Sequence, residues 1–290
     1  MKKYIYLHVC CINNWRDVVG NMYRQIRESG LYEKIDGIRC SVLGDCSEFL
    51  EFIHGLDRDR KTTVVFTSSD RKYLSSNYRL ISDGFRDDES RPIHNEEIIL
   101  HRLHEDAQKE DFYVLYLHSK GVKRIKELPH QNSKVEDWVN LMLYFNLFKH
   151  EYMWEKLEEF DAVGINIECK PHISRHKKSC VSYEKREGFD YNIRFSGNFW
   201  WSKSTFIREM HRELGRDYGG PENWLTNAEN ARFLSVWNSY TDHYQNPYPL
   251  ATYQDQGFHH IVINKVGLEI KDNDLKPRES RVEYPPRISN

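Results

Sequence analysis

The stretch Phe112–Gly121, FYVLYLHSKG, joins an apolar run to a polar turn that ends on glycine. The run from Phe112 to Leu117 is nearly continuous, which is typical of a strand covered by other elements on both faces. The turn presents His118, Ser119 and Lys120, and the glycine after them tolerates backbone angles that other residues avoid. This stretch therefore predicts a central strand that delivers polar side chains to one edge of a sheet.

Earlier segments repeat this strand character and alternate with helical patterns. The predicted strands are Lys3–Val9, Ile38–Leu43 and the β-branched run Thr62–Thr67. Between them, apolar residues at helical spacing predict helices around Val18–Ile26 and over Cys46–His54. This alternation predicts βαβ units and an α/β fold of the Rossmann type, with a mostly parallel central sheet.

In a parallel α/β sheet, ligands bind beyond the carboxyl ends of the strands. The predicted strands end at Cys10–Asn14, Gly44–Ser47, Thr67–Asp70 and His118–Gly121. We therefore expect a ligand site along the edge that these four segments share.

The second half of the chain is less regular. Ser133 to Glu136 fits a capping box and predicts the start of a helix over Lys134–Lys149. A strand is predicted at Ala162–Ile167, and an aromatic strand and turn at Asn192–Phe206. A further helix is predicted over about Glu222–Asn238. No sharp domain boundary separates these elements.

Composition narrows the functional classes. The 290 residues include 42 basic and 44 acidic ones, for a formal net charge of -2, which gives no general attraction to nucleic acid. No segment has the length of a membrane span, and the N-terminus lacks a signal-peptide pattern. None of the six cysteines forms a CxxC pair. We therefore expect a cytoplasmic protein with reduced thiols and no nucleic-acid partner.

Three further segments carry candidate functional side chains. In Phe195–Trp201, FSGNFWW, the small residues before Asn198 suit a backbone that approaches a ligand closely, whereas Trp201 fits a core position. Glu222, in the segment PENWL, suits either helix capping or a general base. His243, in the polar segment Asn238–Tyr244, suits a phosphate contact, and an ordinary solvated turn is the alternative.

Together these segments resemble a glycosyltransferase family that occurs in bacteria and in large DNA viruses, chloroviruses included. The resemblance covers about residues 1–255 and rests on YLHSKG, Asp137-Trp138, SGNFWW, Glu222-x-Trp224 and the Asn238–Tyr244 segment. It implies one GT-A-like catalytic domain over residues 1–270. Residues 1–125 would bind the nucleotide sugar, residues 126–270 would bind the acceptor, and residues 271–290 would form a C-terminal arm.

The resemblance also implies an activity. The chain would transfer a hexose or pentose from a nucleotide sugar to an oligosaccharide or glycoprotein glycan. A UDP-sugar is the favoured donor, with UDP-xylose as the more specific expectation. Inversion is favoured and retention stays open. A virus-encoded enzyme of this kind would work in the host cytoplasm.

Residue roles follow from the same resemblance. Donor-binding roles fall on Val9, Cys10, Asn13, His118, Ser119, Lys120, Gly121, Asn198 and His243. Acceptor-binding roles fall on Trp200, Trp201 and Trp224. Glu222 is the first candidate for the catalytic base, and Asp70 is the second.

The chain departs from the family at the metal site. Many GT-A enzymes bind Mn²⁺ or Mg²⁺ through an Asp-x-Asp after the fourth strand, where this chain has His118-Ser119-Lys120. Asp57-Arg58-Asp59 and Asp272-Asn273-Asp274 have the spacing but follow other elements. We therefore predict no essential cofactor and no metal ligand, with Lys120 neutralising the leaving diphosphate instead. A divalent metal stays an open alternative.

Two other functional classes compete with sugar transfer. A nucleotidyltransferase on a similar sheet would need a metal-binding acidic pair at a strand end. A non-catalytic carbohydrate-binding protein would use the same tryptophans without turnover. The sequence leaves both open, together with the oligomeric state.

Overall fold

The computed structural model describes residues 1–69, 96–122, 129–171, 191–212, 220–265 and 269–272. Within these ranges a nine-stranded sheet is covered by helices on both faces, and a separate two-stranded sheet lies beside it. The predicted C-terminal arm lies outside these ranges, apart from its first two residues.

The strands, numbered in chain order, are β1 Lys2–Cys10, β2 Gly37–Leu43, β3 Thr62–Ser68, β4 Phe112–His118, β5 Ala162–Gly164, β6 Ile167–Pro171, β7 Tyr191–Phe195, β8 Trp200–Lys203, β9 Arg232–Ser235, β10 Ile261–Asn264 and β11 Glu269–Asp272. The helices are α1 Trp15–Glu28, α2 Leu31–Lys34, α3 Cys46–His54, α4 Glu97–Ala107, α5 Pro129–Leu143, α6 His150–Lys156, α7 Ser204–Glu209 and α8 Gly220–Trp224.

The large sheet has the order β11-β10-β9-β5-β8-β4-β1-β2-β3. Strand β1 pairs in parallel with β2 and β4, and β2 pairs in parallel with β3. Strand β8 is antiparallel to both of its neighbours, and so is β10, whereas the other seven strands of this nine-stranded sheet share one direction. The prediction of an α/β fold with a mostly parallel central sheet is therefore confirmed.

Strand β1 is buried on both faces, as its apolar run predicts. Its residues alternate between two cores: Leu7 and Val9 pack on the side of α1, α3 and α5, whereas Tyr4 and Tyr6 pack on the side of α4 and α7. Strand β3, predicted from its β-branched residues, lies at the edge of the described sheet and is less buried, with Phe66 exposed.

Two helix predictions for the second half need correction. Helix α5 begins at Pro129, so Ser133 lies inside it and the predicted capping box does not mark its start. Proline fits a first helical turn because its fixed φ suits a helix and its missing N–H would have no partner there. The helix then continues as a π-helical segment, Tyr144–Phe148.

The predicted helix over Glu222–Asn238 is also wrong beyond its first turn. Helix α8 ends at Trp224, and Asn230 adopts a positive φ of 51°, which a helix does not tolerate. The following run forms β9 instead, because its backbone finds a parallel partner in β5. Tertiary pairing here overrides a local helical pattern.

The described residues bear on the predictions about the cysteines and about membrane spans. Cys10, Cys11, Cys40 and Cys46 form no disulfide within the described residues. Burial raises the pKa of the Cys40 thiol to about 12, so this side chain stays protonated. No helix in the described ranges has the length and apolar character needed to cross a bilayer.

Candidate functional site

A cavity of about 890 Å³ opens at the carboxyl ends of β1 and β4. Its walls come from the end of β4, from the turn between β7 and β8, from α5 and from the segment that follows β9. Its lining includes His8, Cys10, Glu96, His118, Ser119, Lys120, Gly121, Trp138, Glu168, Arg194, Gly197, Glu222, Ser239, Tyr240, His243 and Tyr244.

The cavity lies at the ends of β1 and β4, two of the four strand ends of the predicted edge site, and not at the ends of β2 and β3. The ends of β2 and β3 line a separate depression around Gly44 and Ser68. Asp45 in this depression caps helix α3, because its carboxylate accepts the backbone N–H groups of Ser47 and Glu48. The larger cavity therefore belongs to the two central strands.

Backbone contacts hold the polar turn after β4 against the end of β1. Ser119 donates its N–H to the carbonyl of His8 at 2.8 Å, and its hydroxyl accepts the N–H of Cys10 at 2.9 Å. Gly121 has a φ of 96°, a conformation that favours glycine. Asn13 donates its side-chain amide to the carbonyl of Val122 at 2.9 Å. The turn is thus fixed on both sides of Lys120.

His118 is held between two acceptors. Its Nδ1 lies 2.6 Å from Glu96 Oε1, and its Nε2 lies 3.1 Å from the carbonyl oxygen of Gly197. A carboxylate and a backbone carbonyl can only accept hydrogen bonds. The imidazole ring is therefore held in position by contacts on both of its nitrogens.

Glu96 is the centre of this network. Its Oε2 accepts the hydroxyl of Tyr116 at 2.8 Å and the amide of Asn198 at 3.0 Å. Burial disfavours its ionised form, but the charge and hydrogen bond of His118 outweigh burial and hold the pKa of Glu96 well below its usual range. Glu96 therefore remains an anion that orders its donors.

The turn between β7 and β8 depends on two unusual backbone conformations. Gly197 has a φ of 89°, and a Cβ atom there would lie 2.3 Å from the sulfur of Met142. Asn198 has a φ of 59°, and its Oδ1 accepts the indole N–H of Trp200 at 2.8 Å. Asn198 is fully buried behind the cavity wall, so it supports the predicted donor site without lining it.

An aromatic stack forms the opposite wall. The Lys120 ammonium lies 4.3 Å from the centre of the Trp138 ring, a cation–π contact. His243 stacks on the same indole, with ring centres 5.3 Å apart and planes 6° from parallel. Its Nε2 lies 2.8 Å from the hydroxyl of Ser239. The wall thus brings together two predicted donor-site residues that are far apart in sequence.

His8 and His243 are buried and have no charged hydrogen-bond partner among the described residues. Burial lowers the pKa of each imidazole to about 4, against an ordinary value of 6.5. His8 Nδ1 lies 2.8 Å from the hydroxyl of Ser41. At neutral pH both rings are therefore uncharged.

Folding stability should fall as the pH drops from 6.5 toward 4. The unfolded chain takes up protons at both histidines in this window and the folded chain does not, so acid favours unfolding. We expect the free energy of unfolding from urea titrations to drop between about pH 7 and pH 5 by on the order of 2 kcal/mol per histidine. His243→Asn should reduce this slope, and His54→Asn on the surface is the matched control. An equal slope in all three proteins would contradict the assignment.

Glu222 lines the cavity and forms an ion pair. Its Oε2 accepts from Arg194 Nη1 at 2.8 Å, and Arg194 Nε lies 3.3 Å from Glu168 Oε2. All three side chains are about one-quarter to one-third exposed. Arg194 thus stands between two carboxylates at the wall formed by β6, β7 and α8.

The three predicted acceptor-site tryptophans lie in the core, which corrects their placement. Trp200 stacks on Tyr116 with ring centres 5.0 Å apart, and Trp201 points to the opposite face. The indole of Trp224 donates to the carbonyl of His211. All three are at most 3% exposed, because helices cover both faces of the sheet around β8.

The remaining predicted residues divide clearly. Cys10, His118, Ser119, Lys120, Gly121, Glu222 and His243 line the cavity. Val9 faces the core instead, because its neighbour Cys10 takes the cavity side of β1. The side chain of Asn13 is used in the bond to Val122 and does not line the cavity. Asp70 lies outside the described residues.

Sequence reasoning missed His8, Glu96 and Arg194. His8 looks like an ordinary member of an apolar strand, and Glu96 meets His118 across 22 positions of sequence. Arg194 faces Glu222 across 28 positions. A carboxylate just before a helix was the only available local signal for Glu96. The segment Asn238–Tyr244, in contrast, lines the cavity throughout its length.

Three carboxylates at the cavity, Glu96, Glu168 and Glu222, are engaged by other side chains of the described residues. Glu96 accepts from three side chains, and Glu168 and Glu222 share Arg194. No group of three or more metal-ligating side chains comes together within the described ranges. Asp57, from the first Asp-x-Asp spacing, instead accepts from Tyr32 and from the N–H groups of Lys61 and Thr62.

Fold and cavity together define an α/β protein with a polar, ligand-sized cavity at the carboxyl edge of its central sheet. No family model and no curated protein matches the chain. HddC from Yersinia pseudotuberculosis is similar at 8% identity over 82% of this chain and 91% of HddC, with a TM-score of 0.39. HddC complexed with GMP-PN gives 9% identity over 86% and 98%, with a TM-score of 0.40. A likeness at this level supports no conclusion about activity.

Proposed function

We propose that this chain is a GT-A-like glycosyltransferase that transfers a sugar from a nucleotide-sugar donor to a glycan acceptor. The observation that carries the proposal is the position of Lys120, on a fixed turn at the carboxyl end of β4 and on the wall of the cavity. The cavity volume of about 890 Å³ lies within the range of small-molecule sites. The motif resemblance supplies the reaction class.

Lys120 would neutralise the negative charge that develops on the leaving diphosphate. An ammonium group held beside the cavity offers this stabilisation without a metal ion. The acceptor hydroxyl oxygen would attack the anomeric carbon, and the bond from that carbon to the diphosphate oxygen would break. A UDP-sugar, UDP-xylose among them, is the favoured donor, and inversion of the anomeric centre is the favoured outcome.

Glu222 would take the proton of the acceptor hydroxyl. Glu222→Gln should lower kcat about 100-fold, toward the lower end of general-base effects because Arg194 already stabilises the carboxylate. Donor affinity should stay nearly constant, since only the proton acceptor is lost. Glu168→Gln is the matched control, because it removes the other carboxylate facing Arg194.

Steady-state kinetics and donor-binding titrations of both variants test this role. Asp70→Asn tests the second candidate base in the same assays. Unchanged turnover in Glu222→Gln would remove Glu222 from the mechanism. Unchanged turnover in Glu222→Gln and also in Asp70→Asn would remove both candidate bases.

The acceptor glycan would contact tyrosines in place of the predicted tryptophans. Tyr240 and Tyr244 line the cavity and are 71% and 54% exposed. Exposed aromatic rings at a cavity mouth offer flat apolar surfaces for sugar rings, while their hydroxyl groups stay in water. An acceptor at this wall would approach Glu222 from the solvent side.

A nucleotidyltransferase is the second candidate. It would join a nucleoside triphosphate to a sugar phosphate and release pyrophosphate. The positions of Lys120 and Arg194 at the cavity favour it, because two phosphorylated substrates need more positive charge than one. The engagement of Glu168 and Glu222 with Arg194 speaks for the first candidate, because nucleotidyl transfer needs acidic side chains for its metal ion.

A panel of nucleotide sugars separates the candidates. The purified chain is incubated with each donor, once with EDTA and once with Mn²⁺, and release of the nucleoside diphosphate is measured. Release from one donor in EDTA supports sugar transfer with Lys120 in place of a metal, whereas loss in EDTA with rescue by Mn²⁺ would overturn the role of Lys120. Pyrophosphate release from a nucleoside triphosphate and a sugar phosphate would identify the second candidate. Glycan binding without any nucleotide binding would identify a carbohydrate-binding protein.

A further inference from the structure

His8 occupies a polar row across the central strands, next to the cavity. It is the register partner of Ser41 on β2 and of His118 on β4, so the three side chains lie side by side on one face of the sheet. The row deeper in the sheet contains Tyr6 and Tyr116 and belongs to the apolar core. His8 is therefore placed where the core ends and the cavity begins.

One nitrogen of His8 has a partner and the other has none. Nδ1 lies 2.8 Å from the hydroxyl of Ser41, whereas Nε2 is buried and lacks a partner among the described residues. The whole side chain is only 3% exposed, yet the residue lines the cavity. A buried polar atom without a hydrogen bond costs stability, and such atoms are rare in folded proteins. Because Nε2 lies at a cavity wall, a bound ligand could supply the missing partner.

The contact with Ser41 is the basis for assigning the tautomer. Ser41 is fully buried, and Nδ1 of His8 is the acceptor within reach of its hydroxyl among the described residues, so we assign the hydroxyl as the donor. The ring then carries its proton on Nε2. Burial disfavours a second proton on this ring and outweighs the opposing effect of the Glu96 charge. His8 thus offers one neutral N–H donor at the cavity wall.

We infer that His8 is a ligand-binding residue whose Nε2–H donates to an uncharged oxygen of the bound nucleotide sugar. The inference rests on the proposed function for the identity of the ligand. The oxygen is a hydroxyl of the transferred sugar or an oxygen of the nucleoside. The diphosphate is assigned to Lys120, because a phosphate against His8 would favour a second proton that the burial of this ring opposes.

Two substitutions separate the two nitrogens of His8. In His8→Asn the shorter amide lies where Nδ1 lies, so it keeps a partner for Ser41 and removes the Nε2 donor. In His8→Gln the longer amide reaches the position of Nε2, so it keeps the donor and leaves Ser41 unpaired. A binding role and a purely structural role therefore predict opposite results for this pair.

Calorimetric titration with UDP-glucose, UDP-xylose, UDP and pyrophosphate provides the test, alongside urea unfolding without ligand. His8→Asn should raise the Kd of the bound nucleotide sugar about 5- to 10-fold, the value of one neutral hydrogen bond, without loss of stability. His8→Gln should keep the affinity within about twofold and unfold at lower urea. Pyrophosphate binding should not change in either variant.

The comparison of ligands locates the oxygen. Weaker binding of the sugar nucleotide but not of UDP places it on the transferred sugar, and equal weakening of both places it on the nucleoside. Wild-type affinity in His8→Asn, or an equal loss of pyrophosphate binding, would overturn the inference. A wild-type chain that binds none of the nucleotides would instead overturn the proposed function.

Discussion

Lys120→Met is expected to lower the rate of sugar transfer about 100- to 1000-fold, the effect of removing one group that stabilises transition-state charge. Methionine keeps most of the length of the side chain and loses only the ammonium. The fixed backbone of the turn, with Ser119 bound to His8 and Cys10, should leave the cavity otherwise unchanged. The loss should therefore appear in kcat and not only in KM.

Single-turnover measurements at saturating donor test this prediction, because they report the chemical step. Lys134→Met is the matched control: Lys134 donates to the carbonyl of Gln245 and does not line the cavity. Lys120→Arg should recover part of the rate because it restores the positive charge, although its guanidinium spreads that charge over a larger group. A rate for Lys120→Met within about threefold of the wild-type rate would be a much smaller loss than removal of a transition-state contact causes. Such a result would show that Lys120 does not neutralise the leaving group.

Glu96→Gln is expected to cause the largest loss of folding stability among single polar substitutions at the site, about 3 kcal/mol. The carboxylate accepts from His118, Tyr116 and Asn198, and a glutamine amide has only one acceptor oxygen for these three groups. At least one of these buried groups then loses its hydrogen bond. The turn with Gly197 and Asn198 should loosen as a result, and activity should fall with it.

Urea unfolding of wild-type and Glu96→Gln protein measures this loss. Because the folded-state pKa of Glu96 is depressed, its stabilising contribution is fully present above the ordinary carboxyl pKa and is lost as the pH falls toward the folded-state value. The difference between the two proteins should therefore hold at about pH 7 and shrink in acid below about pH 4.5. Glu151→Gln is the control, since its ion pair with Lys34 is exposed. Equal stability of Glu96→Gln and wild type at neutral pH would show that the network is not required for folding.

The two kinds of histidine at the cavity follow from their neighbours. His118 meets a carboxylate and a carbonyl, whereas His8 meets a serine hydroxyl and is kept neutral by burial. The sequence shows only that both residues are histidines near the ends of strands. Charge at these positions is therefore a property of the packed site and not of the residue type.

The tryptophan prediction failed for a reason that applies beyond this site. Alternation along β8 correctly sends Trp200 and Trp201 to opposite faces, but only the helices on each face decide whether a face is solvent or core. Here both faces are covered. The aromatic side chains at the cavity come instead from α5 and from the segment after β9, which lie beside the strand ends.

The sequence by itself determined the central strands and the polar turn after β4. Apolar runs, β-branched residues and turn glycines act over a few neighbouring residues, so Phe112–Gly121 specifies its strand and turn without the rest of the chain. The tertiary structure alone decided which polar groups meet: Glu96 with His118, Arg194 with Glu222, and His8 with Ser41. These contacts join residues that are 22 or more positions apart in the sequence. The distances between the paired groups and their burial depend on how the chain packs, and they set the protonation of the groups.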